Sequence, residues 1–198
     1  MQSMSTALQR PSARRQELLE RAYEYVLKHG ISHLSLRPLA AAIDSSPRVL
    51  LFLFGSKEGL VGALLQRARL DELELLDRVS DTNSEADLAT VAAALWRWLA
   101  AERHRGVLTL WVESYTRSLI EPRGACEQFA RRTVDDWLEL LAAAQPPPQR
   151  RGAQGAAERT LVLAVLRGAL LDLLATGDRK RTTMAVHRAL DSLRPHGH

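Results

Sequence analysis

The sequence predicts an all-α protein. Three observations carry that expectation. Apolar residues recur at the i, i+3, i+4, i+7 spacing of a helical face in almost every segment. No Asn-Gly or Asp-Gly pair joins alternating runs, as a hairpin requires. Serine caps, proline starts and glycine stops punctuate the helical runs.

The elements follow in order. A first helix is expected from about residue 12 to 29, with Leu18, Leu19, Ala22, Val26 and Leu27 on one face and Gly30 as its stop. A short second helix starts at Ser35, a cap before Leu36, Leu39, Ala40 and Ile43, and runs to about 43. VLLFLF, Val49 to Phe54, has the periodicity of either a buried strand or a helix, so its flanks decide. Ser46-Pro47 is a cap followed by proline at the first helical position, which predicts a helix from 47 to 54 stopped by Gly55. Ser56 caps a long helix from about 57 to 80, burying Leu60, Leu64, Leu65, Ala68, Leu75 and Leu76; DTNSEAD then marks a turn and a new cap. Helices are expected at about 84 to 103, 106 to 119 and 122 to 144, followed by a loop at QPPPQRRGAQG (145 to 155), where prolines remove donors and glycines discourage helix. Helices at about 157 to 176 and 179 to 193 bring the expected number to about nine.

Composition bounds the function. Of 198 residues 46% are apolar, enough for one compact domain or a small domain joined to a larger one. The single cysteine, Cys126, rules out a disulfide framework and a multi-thiolate zinc site, and points to a reducing compartment; the N-terminus lacks the apolar core of a signal peptide, and no uninterrupted apolar run reaches membrane-spanning length. A cytoplasmic location without membrane attachment is the expectation. The net charge is +4, and its excess is N-terminal: residues 1 to 60 carry eight Lys or Arg against five Asp or Glu, whereas the remainder carries nineteen against eighteen. Arg10, Arg14 and Arg15 precede the first acid, which suits an arm lying along an anionic polymer or, equally, a solvated tail.

A supporting helix, a helix at 35 to 43, a tight turn at Asp44-Ser45-Ser46 and a short helix from 47 form the layout of a helix-turn-helix, whose second helix enters the DNA major groove. Here the residues resemble the DNA-binding domain of TetR-type transcriptional regulators: a helix ending in HG, then SLRPLAAAI, a turn, a short helix and the block FGSKEGL. The resemblance covers about the first sixty residues by motif and the rest by helix number and length. It implies a DNA-binding domain over 1–56, a ligand-binding and dimerisation domain over 57–198, and double-stranded DNA as a partner. Two departures stand out. Asp44 replaces the usual turn glycine, which aspartate tolerates better than most residues. Leu51 and Leu53 replace the tyrosine and histidine of the family's LYxHF pattern, which usually touch phosphate, and this favours the alternative of a TetR-like sensing or protein-interaction dimer without specific DNA binding. By matching positions, phosphate contacts fall to Ser35, Arg37 and Lys57, with Arg14 in the arm, and base-edge contacts to Ser45, Ser46 and Arg48. Ser35 and Ser46 would cap helices in either case.

The resemblance further implies an unidentified small-molecule effector and a homodimer, and the sequence supports both. LVLAVLRGALLDLLA is apolar around most of its circumference, so a partner's helices are expected to cover what its own domain does not, through the helices at 157–176 and 179–193. The middle helices carry Trp96, Trp98, Trp111, Tyr115, Phe129 and Trp137, which are either ordinary core or a ligand pocket. The ligand candidates are Trp96, Trp111, Tyr115, Phe129 and Trp137, with Glu113, the lone acid of LTLWVESYT, to orient a ligand or pair with an arginine. No phosphate loop, HExxH or nucleophile elbow is present, and the six histidines have no ligand spacing, so no enzyme, metal or cofactor is expected.

Overall fold

The computed structural model describes residues 13–31, 34–82, 87–120 and 128–192. Arg10, Cys126, the start of the helix expected at 122, most of the expected turn at 81–87 and the last six residues lie outside that description, as do the side chains of Leu75 and Leu76. Every regular element among the described residues is helical: α1 (Ala13–His29), α2 (Leu36–Ala42), α3 (Pro47–Phe54), α4 (Lys57–Thr82), α5 (Leu88–Leu99), a 3₁₀ turn (Glu102–His104), α6 (Arg105–Ile120), α7 (Phe129–Ala143), α8 (Pro147–Arg151), α9 (Ala153–Thr176) and α10 (Arg179–Asp191). No single described helix is long and apolar enough to cross a membrane.

Two apolar clusters organise the chain. The first joins α1, α2, α3 and the N-terminal half of α4 around Leu18, Leu39, Leu50 and Leu64, and takes one residue from farther along, Leu110 of α6. The second joins α5, α6, α7, α9 and α10 around Leu95, Leu141, Leu166 and Val186. A polar tie holds α1 to α4: Tyr23 donates to Asp71 (2.7 Å), and Arg67 bridges Glu20 and Asp71. Burial and the Asp71 carboxylate push the Tyr23 hydroxyl pKa far above its ordinary value.

Three expectations need correction. The 145–155 segment is not a continuous loop, because Pro147 sits at the first turn of α8, where its missing N–H is harmless. Arg150 of α8 then satisfies the orphan carbonyls of α7, donating to Ala142 O (2.9 Å) and Ala143 O (3.1 Å). Second, α9 begins at Ala153 rather than 157; a Cβ on Gly155 would lie 1.9 Å from Gln149 O, so that glycine serves the close packing of α8 on α9 and does not break the helix. Third, α5 runs only from 88 to 99. Asp87 caps it by accepting from Thr90 N (2.7 Å), and His104, its ring stacked on Trp98, donates from Nδ1 to Trp98 O (2.8 Å) in place of a further helical turn.

Candidate nucleic-acid interface and ligand cavity

The helix-turn-helix is built by local devices. Asp44 takes a left-handed φ of 53°, so the turn survives without glycine, and Ser45 N donates to Ala40 O (2.8 Å) across it. Ser46 caps α3 by accepting from Val49 N (3.3 Å). At the far end Gly55 has φ 78°, Ser56 accepts from Gly59 N (2.9 Å), and α4 leaves at a bend of 70°. A Cβ on Gly59 would lie 2.1 Å from Phe54 O, so the FGSKEGL block encodes a corner that no larger residue can turn.

Arginines of α1 brace this unit. Arg15 donates to Leu53 O (3.3 Å) and lies 4.9 Å from the Phe54 ring centroid, placing a cation at the C-terminus of α3. Arg21 donates to Ile43 O (3.4 Å). Arg14 does not belong to a free arm: α1 starts at Ala13, and Arg14 pairs with Glu17 (2.8 Å) on its first turn, since an acid three residues on stabilises the helical form.

The remaining candidates divide by commitment. Arg37, Arg48 and Lys57 are exposed and have no hydrogen bond or ion pair with any described residue. Ser35 occupies the α2 cap position but makes no side-chain cap bond, leaving its hydroxyl uncommitted. The Ser45 hydroxyl is buried and has no hydrogen-bond partner among the described residues. Along α3, Leu50 and Phe54 are buried and Leu53 is half-buried; Val49, Leu51 and Phe52 are exposed, Phe52 at 86%. The apolar run therefore presents one face to its core and another to solvent.

In the second cluster a cavity opens between α4, α5, α6, α7 and α9. Trp98, Trp111, Phe129 and Trp137 line it with Leu108, Leu166 and Leu170, and Glu72 and Arg167 are its charged groups. It offers about 30 Å³ to a water-sized sphere, room for about two waters. Tyr115 stands behind the wall, its ring stacked 5.1 Å from Trp111. Trp96 lies elsewhere: fully buried, it donates from Nε1 to Thr183 (3.0 Å) and ties α5 to α10. Glu113 is also outside the cavity, because its carboxylate accepts from Ile31 N (2.7 Å) just past α1. Sequence reasoning missed Glu72 and Arg167. Arg167 was visible only as the break in an apolar run.

Glu113 belongs to a junction. A Cβ on Gly106 would lie 2.5 Å from Leu27 O, Leu110 is fully buried in the first cluster, and Glu113 holds Ile31. These three share one face of α6, while Val107, Leu108 and Trp111 turn to the cavity. α6 thus touches both clusters, as does α4, whose Ala68 belongs to the first cluster and lines the cavity.

No protein-family model matches the chain, and no curated protein sequence matches it. Solved structures do. A transcriptional regulator from Rhodococcus sp. aligns over 90% of this chain and 94% of its own, at 18% identity and a TM-score of 0.72. A TetR transcription regulator from Haloarcula marismortui aligns over 91% and 96%, at 16% identity and 0.69. The chain has the TetR-type fold. The multidrug binding protein EbrR, solved with proflavin, aligns over 89% of this chain and 99% of its own, at 28% identity and 0.61. Within this TetR-type fold, α4 runs from the corner at Gly59 to the cavity wall at Ala68 and Glu72, and α6 packs on both regions.

Proposed function

We propose that this chain is a one-component transcriptional regulator, a repressor, which binds a palindromic operator as a homodimer and releases it when a small-molecule effector enters the cavity. The observation that carries this reading is the exposed face of α3, where Arg48 is uncommitted and Arg37 and Lys57 flank it. Phosphates take Lys57, Arg37, the Ser35 hydroxyl and the helix N-termini, and Arg48 reads a guanine edge. Leu51 and Phe52 add apolar contacts, as to thymine methyl groups.

Dimerisation is supported by a seam on α9. Leu161, Ala164, Gly168, Leu171 and Ala175 are exposed at spacings of three and four, the pattern of a helix pairing with another helix. On α10, which packs on α9, Met184 is 64% exposed. Two copies joined there form a four-helix bundle about a two-fold axis.

The effector works through α6. A molecule larger than the cavity must push its wall outward, and where the wall is Leu108 and Trp111 of α6 the push reaches Leu27 and Ile31, packed on the opposite face of that helix. The helix-turn-helix follows, and the two recognition helices leave the spacing of about 34 to 36 Å needed for successive major grooves. A second reading, a sensing dimer without operator binding, draws support from Leu51 and Leu53, which supply no phosphate contact.

A gel shift on the DNA upstream of the chain's own gene separates the two readings. Salt-sensitive, sequence-specific binding is expected. Arg48→Ala should relax sequence preference by about 1 to 3 kcal/mol, and Lys57→Ala should weaken binding to all sequences alike. Identical effects of the two substitutions would refute the assigned roles, and no specific shift at any concentration would leave the sensing dimer.

A further inference from the structure

The polar groups of the cavity wall are unequally satisfied. Glu72 is 7% exposed, and both of its carboxylate oxygens already accept hydrogen bonds, Oε1 from Trp137 Nε1 (2.6 Å) and Oε2 from Arg69 Nη1 (2.7 Å). Arg69 also pairs with Asp136, which lies outside the lining. Arg167 has no carboxylate hydrogen-bond partner among the described residues. Its Nη1 donates to the Tyr115 hydroxyl (3.1 Å), its guanidinium lies over the Tyr115 and Trp111 rings at 5.0 and 5.7 Å, and its Nη2 is buried without any hydrogen-bond partner among the described residues. Trp111 Nε1 is buried and unpartnered as well.

Two idle donors therefore accompany the cavity, and the carboxylate among its described lining residues, Glu72, is occupied. An unmet buried donor loses its water without replacement, and a cation loses most. Burial lowers the Arg167 pKa, as desolvation of a cation should, but an arginine stays charged. The Arg69, Glu72 and Asp136 group carries one excess negative charge, which balances Arg167 at a distance. Selectivity thus rests on hydrogen bonding in an enclosed site more than on net field. A carboxylate offers an acceptor oxygen to each idle donor, Arg167 Nη2 and Trp111 Nε1, and an aromatic ring matches a wall of Trp98, Trp111, Phe129 and Trp137.

Resting on the effector reading above, we propose that the cavity takes an aromatic carboxylate, its carboxylate accepting from Arg167 Nη2 and Trp111 Nε1 and its ring packed against Phe129 and Trp137. A ring of this size must push the wall outward, and a carboxylate held by Trp111 passes that push to α6.

The test is calorimetry on the full chain with three probes of similar flat shape: 2-naphthoate, 2-naphthamide and the cation proflavin. The expected order is 2-naphthoate at least about tenfold tighter than either of the others. Arg167→Met should weaken 2-naphthoate about 10- to 100-fold and close its gap to 2-naphthamide. Arg167→Lys, which keeps the charge but loses the planar Nη2 donor, should fall between, and serves if Arg167→Met does not fold. Preference for proflavin, equal binding of acid and amide, indifference to both substitutions, or no binding of any probe would each overturn the proposal. A gel shift on the same samples reports operator binding separately. Operator binding without 2-naphthoate binding sinks the ligand class alone, and 2-naphthoate binding without operator binding sinks the regulator reading alone.

Discussion

At the α3–α4 corner the groups that shape the backbone lie between Ser46 and Gly59, with Arg15 of α1 as a brace from outside, whereas the cavity is walled by five helices whose lining runs from Ala68 to Leu170. The corner is a backbone object, set by a cap, a left-handed glycine and one close approach. The cavity is a side-chain object, set by which large residues five separate helices bring together. The contrast teaches where each half is fragile: the corner to one added carbon, the cavity to lost volume or to a changed polar partner.

The sharpest way to break this contrast is a pair of glycine substitutions in one helix. Gly59→Val sets a side chain against Phe54 O and should cost more than about 3 kcal/mol in chemical denaturation and abolish operator binding. Gly62, three residues on, has open space around it, and Gly62→Ala should be neutral or stabilise by up to about 1 kcal/mol. Equal losses from the two would show that the corner is not a backbone device.

On the cavity side, Leu166→Ala deletes a fully buried floor residue and should cost about 2 to 5 kcal/mol by the same denaturation while enlarging the cavity. At the junction, Glu113→Ala leaves Ile31 N without its acceptor and should cost about 1 to 3 kcal/mol. It should also uncouple the halves, so that an effector still binds by calorimetry but releases less DNA in a gel shift. Full release by the variant would refute α6 as the link. The smallest effect is expected at the turn. Asp44→Gly removes a mildly unfavourable left-handed aspartate and an exposed 3.7 Å ion pair with Arg21, and should shift the melting free energy by less than about 1 kcal/mol in either direction.

The same contrast explains what the sequence could reveal. The fold class and the span of α3 were legible because caps and stops are written next to the helices they bound, as Ser46-Pro47 and Gly55 are. Trp111, Phe129 and Trp137 could be named as pocket candidates, since few residues fill such a wall. Trp96 and Glu113 could not be separated from them, because a partner 87 residues away (Thr183) or 82 residues away (Ile31) leaves no local trace. Arg167 and Glu72 are hidden for a related reason: Glu72 looks like one of the solvated acids of α4, and Arg167 like a lone break in an apolar helix, until other helices close over them. The tract at 145–155 misled in the opposite sense. Its prolines and glycines carry loop chemistry, yet Pro147 starts a helix and Gly155 lets one pack.

The most direct measurement is a footprint of the chain on the DNA upstream of its own gene. Two protected half-sites centred about one helical turn apart, or a whole multiple of it, are predicted, lost together when Leu171→Lys breaks the α9 seam. Protection of a single half-site that survives Leu171→Lys, or no protection at any concentration, would contradict the account of a dimeric, operator-reading regulator.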